Sequence, residues 1–309
     1  MVTDEDALVE LLRRLKSHRY RFSCITPATH QRVLARGATR ELTLADIFGW
    51  NRTFHLDQLD GDLQSLMRGA GALDEVEGNG GVSYRSGVRV ASLANHLFVH
   101  SSYPTHSPNA VFFGPDTYRF VNFVTARLEE FAAARTVVDM GAGSGAAGIT
   151  IAALMPSAGV TLVDVNPEAA AFARINARAA SVTAEVIASR EIPAGCDLVI
   201  ANPPYMMDEG QRAYRDGGGL LGGEVALDWA SQALRSLRPG GAMLLYAGAA
   251  VVGGTSPLLQ ALTKLCSSAN ASLSVTEIDP DVFGEELDKP RYADVERIAV
   301  FGLEIRPRQ

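Results

Sequence analysis

The segment Asn202-Pro203-Pro204-Tyr205 combines residue types that can hold a planar nitrogen group. It follows the apolar run CDLVI, residues 196–200, which predicts a buried strand. Two consecutive prolines fix the backbone and remove two N–H donors, which leaves carbonyl groups aimed in a set direction. The Asn202 side chain adds another acceptor, and the Tyr205 ring offers a face for stacking. These acceptors can take both hydrogens of an N–H₂ group and leave its lone pair directed at an electrophile, so we predict a catalytic role for all four residues.

A second group of chemically useful residues follows the predicted strand TVVD. The turn begins at Asp139 and contains Gly141, Gly143 and Gly145, which let the backbone pass close to a ligand. The next strand, TLVD, ends in Asp164, from where a carboxylate can accept both hydroxyls of a ribose. Since ligands of such sheets sit outside the carboxyl ends of the strands, these residues predict a site for an adenosine-containing cofactor.

Two cofactors fit this turn. Residues 143–148 satisfy the dinucleotide fingerprint GxGxxG, with an acid about 20 residues further on, which is the pattern of a nicotinamide-dependent oxidoreductase. Asp139 would repel a pyrophosphate, however, whereas it could hold the ammonium group of S-adenosylmethionine, which has no phosphate. A turn needed for strand–helix packing alone explains the glycines but not the acids at both strand ends. The residues therefore favour S-adenosylmethionine, with the dinucleotide as the alternative.

The elements that position these residues alternate between strand and helix from residue 134 onward. Nearly all-apolar strands joined by helices predict a parallel sheet buried on both faces, in one doubly wound α/β domain. A helix from Glu224 carries Ala226, Ala230 and Ala233 on one face and stops at Pro239. We place this domain at residues 108–309.

Residues 1–107 follow a different pattern and form a smaller, mainly helical domain. Residues 7–18, 42–50 and 56–73 predict helices, and residues 76–93 predict a hairpin, which together give the order of a winged-helix domain. The segment 56–68 has three acids and one arginine, the reverse of a phosphate-facing recognition helix. We therefore expect a substrate-covering or dimerising module, so a homodimer is one expectation, and a DNA-binding regulator is the alternative.

Composition and charge limit the classes of protein to which the chain can belong. The chain of 309 residues is 47% apolar and 20% charged with a net charge of −7, as in soluble globular proteins, and this balance argues against a nucleic-acid partner. No apolar run reaches the length of a membrane helix, and the acidic start MVTDEDALVE predicts a cytoplasmic protein. His96, His100 and His106 cluster, but their spacing spans a predicted strand and a proline turn and no cysteine lies close, so we expect no metal site.

The motifs VVDMGAGSGAAGI, TLVDVNP and DLVIANPPY resemble those of the class I S-adenosylmethionine-dependent methyltransferases, and NPPY is most similar to the HemK-type glutamine methyltransferases and their amino-methylating relatives. The resemblance covers about residues 110–309 and implies a Rossmann-like sheet of seven strands. It reaches upstream to FFGPDTYRF, where Phe113 and Thr117 resemble a segment that closes over the cofactor. By position, it implies that the Asp139 turn binds the methionine part, that Asp164 binds the ribose, and that Asn202 contacts both substrate amide and cofactor.

The resemblance implies N-methylation of an amide or amino nitrogen, such as a protein glutamine side chain. N- or O-methylation of a small metabolite or natural product is the alternative, so the partner is a protein or small-molecule methyl acceptor. The chain departs from the family in two places. Ser189 and Arg190 stand where many relatives have an acid near the adenine, and the amino-terminal half lacks a match to the release-factor-recognising domain.

Overall fold

Helices and two β-hairpins make up the chain before Pro115 in the computed structural model, which describes residues 4–37, 41–78, 81–105, 107–210, 212 and 214–308. The elements are α1 (Glu5–Ser17), α2 (Pro27–Ala35), a π-helix (Ala45–Gly49), a 3₁₀ turn (Leu56–Gln58), α3 (Gly61–Gly69), β1 (Leu73–Gly78), β2 (Gly81–Ser86), β3 (Val88–Leu93) and β4 (His96–Ser101). Strands β1 and β2 pair antiparallel with each other, as do β3 and β4.

The predicted helix over residues 56–73 is interrupted, because Asp60 begins a new helix inside it. The Asp60 carboxylate accepts a hydrogen bond from the Asp62 N–H at 2.8 Å and so caps α3. The predicted helix over 42–50 is a five-residue π-helix. Residues 76–93 contribute to two hairpins and not to one, since Ala94 and Asn95 both adopt positive φ and turn β3 back onto β4.

A seven-stranded sheet forms the rest of the chain, which confirms the predicted α/β class. Its elements are α4 (Pro115–Thr125), β5 (Thr136–Met140), α5 (Ala146–Leu154), β6 (Gly159–Val163), α6 (Pro167–Ala180), β7 (Glu185–Ile187), β8 (Cys196–Ala201), the single turn α7 (Gly219–Gly222), α8 (Glu224–Ser236), β9 (Leu237–Val251), α9 (Pro257–Ser268), β10 (Ala271–Asp279) and β11 (Arg297–Pro307). The strand order is β10-β11-β9-β8-β5-β6-β7. Strand β11 is antiparallel to both neighbours, and the other pairings are parallel.

Both faces of the sheet are covered. Val137 and Val138, adjacent in β5, belong to separate apolar cores on opposite faces, as the alternation of side chains along a strand requires. On one face, α8 buries Ala226, Ala230 and Ala233 completely. These small side chains let the helix lie close to the sheet at the edge where the cavity opens.

The amino-terminal part is joined to the sheet through α6. The fully buried Asn176 accepts a hydrogen bond from the Val99 N–H at 2.8 Å and donates to the Val99 carbonyl at 3.0 Å, so it completes the backbone bonding of β4. Its Nδ2 also donates to the Ser144 carbonyl in the glycine turn at 2.8 Å. One apolar core contains residues from both sides of position 107, and the division into domains 1–107 and 108–309 stays a prediction. Within the described ranges, no helix is long and apolar enough to cross a bilayer.

Candidate active site

A cavity of about 1230 Å³ lies at the carboxyl ends of β5, β6 and β8. The glycine turn after β5, Asp164 after β6 and the Asn202–Tyr205 segment after β8 all line it. Parallel strands bring their carboxyl ends to one edge of the sheet, which explains how segments distant in sequence share this cavity. The geometry thus brings the predicted acceptor residues together with most of the predicted cofactor residues, whereas Gly145 and Phe113 are not part of the cavity lining.

Asp139 is buried at the end of β5 and ties the glycine turn to α5. Its Oδ2 accepts a hydrogen bond from the Gly148 N–H at 2.8 Å, one of the donors that the first turn of a helix leaves unpaired. Its Oδ1 has no hydrogen-bond partner among the described residues, and Asp139 lines the cavity. Burial raises the pKa of this carboxyl to about 7. A cation placed beside Oδ1 would stabilise the ionised form.

The turn between Asp139 and α5 requires glycine. Gly141, Gly143 and Gly145 have φ values of +70°, +55° and +79°, a conformation that residues with a Cβ rarely adopt. A Cβ at Gly141 would also collide with the indole ring of Trp229, which lines the cavity from α8. At Gly141 and Gly143 the backbone of the turn therefore lines the cavity without a side chain, whereas Gly145 is not part of the lining, and a Cβ there would collide with Ile149.

Asp164 lines the cavity, and its carboxylate is held by the backbone on both sides. Oδ2 accepts a hydrogen bond from the Gly143 N–H at 2.8 Å, and Oδ1 accepts one from the Asn166 N–H at 2.8 Å. Burial raises the pKa of the carboxyl, while these N–H donors oppose the shift. Each carboxylate oxygen can still accept a second bond, so Asp164 can fix the glycine turn and bind hydroxyl groups at once.

The Asn202–Tyr205 segment leaves acceptors available in the cavity. Among the described residues, no hydrogen bond involves the Asn202 side-chain amide or the Pro203 carbonyl oxygen. Beyond it the chain is anchored, since the Met206 N–H donates to the Arg215 carbonyl at 3.0 Å and the Gly217 N–H donates to the Met206 carbonyl at 2.8 Å. The segment thus has an anchored backbone and oxygen acceptors without partners among the described residues, and its role toward a planar nitrogen group stays a prediction.

The Tyr205 side chain lines the cavity, but its hydroxyl is committed elsewhere. It donates a hydrogen bond to Oδ2 of Asp116, which also lines the cavity from the first turn of α4. Tyr246 of β9 donates to Oδ1 of the same carboxylate at 2.9 Å. The sequence analysis missed Asp116 and Tyr246, because nothing in the local sequence signals that α4, β9 and the end of β8 meet.

Of the two residues predicted in the upstream segment, Thr117 lines the cavity and Phe113 does not. Thr117 lines the cavity, as does Phe112, whose ring stacks on Tyr214 at a centroid distance of 5.9 Å. Phe113 is not part of the cavity lining, and its buried ring contacts His100 at a centroid distance of 5.3 Å.

Two further segments, which hold none of the predicted site residues, also line the cavity. One comes from the amino-terminal part and includes Pro27, Gln31 and Tyr103, and the Tyr214 hydroxyl donates to the Thr105 carbonyl at 2.9 Å. The other comes from residues 283–289. Ser189 and Arg190 also line the cavity. The cavity is therefore bounded by both parts of the chain.

Ion pairs hold the segment that follows Tyr205. Arg212 forms a bidentate pair with Asp208, whose pKa is lowered to about 2 by these bonds. Arg215 pairs with the buried Glu286 at 2.7 Å, and Lys289 pairs with Glu286 at 2.6 Å.

Across the described ranges, no group of three His, Cys, Asp or Glu side chains is placed to hold a metal ion, and His106 lies outside those ranges.

We expect Gly222→Ala to displace the Asn202–Tyr205 segment. Gly222 has a φ of +93°, and a Cβ there would collide with the Tyr205 carbonyl oxygen, which belongs to rigid backbone. The left-handed conformation alone should cost about 1–2 kcal/mol in the free energy of unfolding, and the collision should add to it. Urea unfolding and methyl-transfer assays would measure both effects.

Gly240→Ala is the matched control for this variant. Gly240 has a similar φ of +84°, but a Cβ there would meet nothing within 4 Å. It should show the conformational cost without loss of turnover per folded molecule. Equal losses of stability in the two variants, with normal turnover in both, would contradict the prediction that a Cβ at position 222 displaces the Tyr205 backbone.

Known proteins are similar to the part of the chain that contains the glycine turn and the Asn202–Tyr205 segment. Residues 119–269 match the family described as Methyltransferase small domain. The release factor glutamine methyltransferase of Deinococcus radiodurans is 35% identical over 124 residues, which are 35% of this chain and 44% of that protein. The enzyme of the same name from Koribacter versatilis is 33% identical over 36% of this chain and 46% of that protein. That from Cereibacter sphaeroides is 29% identical over 52% of this chain and 59% of that protein.

The chain spans about half the length of the curated relatives it matches. Among solved structures, Trm5b from Pyrococcus abyssi is similar with a TM-score of 0.46 and 18% identity, over 76% of this chain and 62% of that one. The sequence matches coincide with the part of the chain that contains the glycine turn and the Asn202–Tyr205 segment. In this part the chain is similar to the class I S-adenosylmethionine-dependent methyltransferases of the HemK type, in agreement with the resemblance of its motifs.

Proposed function

We propose that the protein transfers the methyl group of S-adenosylmethionine to the side-chain amide nitrogen of a glutamine in a protein. The observation that carries this proposal is the pair of acceptors at the end of β8, the Asn202 amide and the Pro203 carbonyl, which have no hydrogen-bond partner among the described residues and line the cavity that contains the glycine turn. The similar proteins named release factor glutamine methyltransferases support the choice of acceptor.

The residues present fit the cofactor. Its amino group needs a buried anionic acceptor, and Oδ1 of Asp139 is such an atom without a partner among the described residues. Asp164 would bind the ribose hydroxyls, and the glycine turn would receive the methionine part. Residues 139–147 of this turn include no lysine or arginine, so the turn offers no cationic side chain to neutralise the pyrophosphate of a dinucleotide. When bound, S-adenosylmethionine supplies the electrophilic methyl group.

The chain's own contribution is positioning. The Asn202 side-chain oxygen and the Pro203 carbonyl would accept the two N–H hydrogens of the acceptor amide and hold its nitrogen toward the cofactor side of the cavity. Holding two reactants in line in this way can account for a large part of a rate acceleration. Tyr205, Phe112 and Tyr214 enclose this region with aromatic rings, which limits the access of water.

The test of the function is a transfer assay with methyl-labelled S-adenosylmethionine and a purified bacterial release factor. We expect label on a glutamine of the release factor, located by mass spectrometry, and none when the Asn202→Ala variant replaces the wild type. Label in a fraction of small metabolites, with none on the release factor, would show that the acceptor is a metabolite. Absence of transfer together with absence of calorimetric cofactor binding would overturn the proposed function.

We expect the affinity for S-adenosylhomocysteine, which carries the same amino group, to rise with pH between about 5.5 and 7.5, where that amino group stays protonated. The pKa of Asp139 is about 7, so the carboxyl is largely protonated at the lower end of this window. A bound ammonium group favours the ionised carboxylate, so binding releases a proton and tightens as the pH rises. The rise should approach about tenfold per pH unit at the acid end, measured by calorimetry.

The matched control is Asp139→Asn, whose side-chain oxygen can still accept the Gly148 bond but cannot ionise. Its affinity should be weaker and independent of pH over the same window. A pH-dependent affinity that persists in Asp139→Asn would place the ammonium group elsewhere.

A further inference from the structure

Asp116 is a buried carboxylate whose hydrogen-bonding capacity is directed at neighbouring protein groups. Its residue exposure is 7%, and three donors converge on it. The Tyr205 hydroxyl donates to Oδ2, while the Tyr246 hydroxyl at 2.9 Å and Nη1 of Arg119 at 3.2 Å donate to Oδ1. Arg119 also pairs with Asp279 at 2.8 Å, so the arginine is held between two carboxylates. A carboxylate with three donors is fixed in position.

The bond to Asp116 determines the orientation of the Tyr205 ring. On one side the ring lies against the backbone of Gly248, where a Cβ would collide with it. On another side Phe283 is tilted against it at a centroid distance of 6.1 Å. Because the hydroxyl oxygen lies on the Cβ–Cγ axis, its bond to Asp116 holds the far end of the ring and so restrains rotation about the Cα–Cβ bond and movement along the ring plane.

The same bond joins two walls of the cavity. Asp116 belongs to α4, which lines the cavity through Thr117 and Phe120, whereas Tyr205 belongs to the segment that presents Asn202 and Pro203. Through Asp116, helix α4 therefore supports the Asn202–Tyr205 segment in the other wall of the cavity. Tyr246 contacts the same carboxylate from β9 and does not line the cavity.

We propose that Asp116 is a positioning residue that fixes the Tyr205 ring, and through it the Asn202–Tyr205 segment, for the methyl acceptor. This inference rests on the proposed methyl transfer for its effect on turnover. The restraint of the Asn202–Tyr205 segment by Asp116 does not depend on the proposed function. Asp116 acts through the Tyr205 hydroxyl, so removing the carboxylate should have no further effect once that hydroxyl is absent.

The test combines Asp116→Asn, Tyr205→Phe and the double variant. The first readout is backbone amide hydrogen exchange at residues 205–207, which needs neither cofactor nor acceptor. Both single variants should exchange faster there, by about tenfold for the loss of one charged hydrogen bond, and the double variant should match Tyr205→Phe. The second readout is transfer to the release factor, where KM should rise by a similar factor while the dissociation constant for S-adenosylhomocysteine is unchanged.

Tyr246→Phe is the matched control, since it removes the same chemical group from the same carboxylate without touching the acceptor segment. It should lower thermal stability about as much as Tyr205→Phe does, with exchange at residues 205–207 and KM at wild-type values. Unchanged exchange at 205–207 in Asp116→Asn, or additive effects in the double variant, would overturn the positioning role. If the wild type itself transfers no methyl group, the proposed function fails, whereas the exchange measurements still decide the restraint.

Discussion

Asn202→Ala should lower the methyl-transfer rate by about 10²–10³, or roughly 3–4 kcal/mol of barrier, because a preorganised polar contact to the reacting group is lost in an enclosed site. The fold and the cofactor affinity should remain nearly intact. The Asn202 side chain has no hydrogen-bond partner among the described residues, so its removal breaks no bond within the described structure. Single-turnover rates and calorimetry with S-adenosylhomocysteine on the same preparation would measure both quantities.

Asn202→Asp serves as the isosteric comparison. It keeps oxygen acceptors at the same position but introduces a charge, so it should retain more activity than alanine and less than the wild type. A structural role for Asn202 predicts a different pattern, in which Asn202→Ala loses thermal stability and activity together. Normal turnover per folded molecule in a destabilised Asn202→Ala protein would remove Asn202 from the catalytic site.

Much of this site could be predicted from sequence because its parts are local. A strand that ends in Asp139 and continues into spaced glycines specifies the turn within a few residues, and the same holds for Asp164 and for the Asn202–Tyr205 segment. Parallel strand topology then brings the three segments to one edge without any further information. The alternation of strand and helix predicted a doubly wound sheet, and the family resemblance implied its seven strands.

The contacts that could not be predicted are those between distant segments. Asp116 meets Tyr205 and Tyr246 across 89 and 130 positions of the chain, and no periodicity records such pairings. The cavity walls from α2 and residues 283–289 arise from tertiary packing in the same way. The choice between two adjacent residues could not be predicted either, since Phe112 lines the cavity and Phe113 does not.

Asp139 illustrates how a predicted residue can have more than one role. Its position at a strand end suggested a carboxylate free to hold an ammonium group. The structure uses one of its oxygens for the Gly148 N–H and leaves the other without a partner among the described residues. The same dual use applies to Asp164, so the glycine turn is held in shape by the two carboxylates that are proposed to bind the cofactor.

Asp164→Ala should weaken the binding of S-adenosylhomocysteine by about 1–3 kcal/mol, which corresponds to roughly 5–150-fold in the dissociation constant, if a buried charged hydrogen bond to the ribose is lost. Part of the loss could arise indirectly, because the variant also releases the N–H groups of Gly143 and Asn166. Calorimetry with S-adenosylhomocysteine and its 2′-deoxy analogue separates the two contributions. Direct ribose binding predicts that the variant discriminates less between these ligands than the wild type does.

Asp197→Ala provides the matched control for the structural contribution. Its Oδ2 likewise accepts two backbone N–H bonds, from Arg135 at 2.8 Å and Thr136 at 2.9 Å, but it lies at the amino end of β8, away from the cavity. This variant should lose stability and keep wild-type affinity for both ligands. An equal loss of affinity for the two ligands in Asp164→Ala would mean that Asp164 acts through the shape of the glycine turn alone, and the ribose would then need another partner in the cavity.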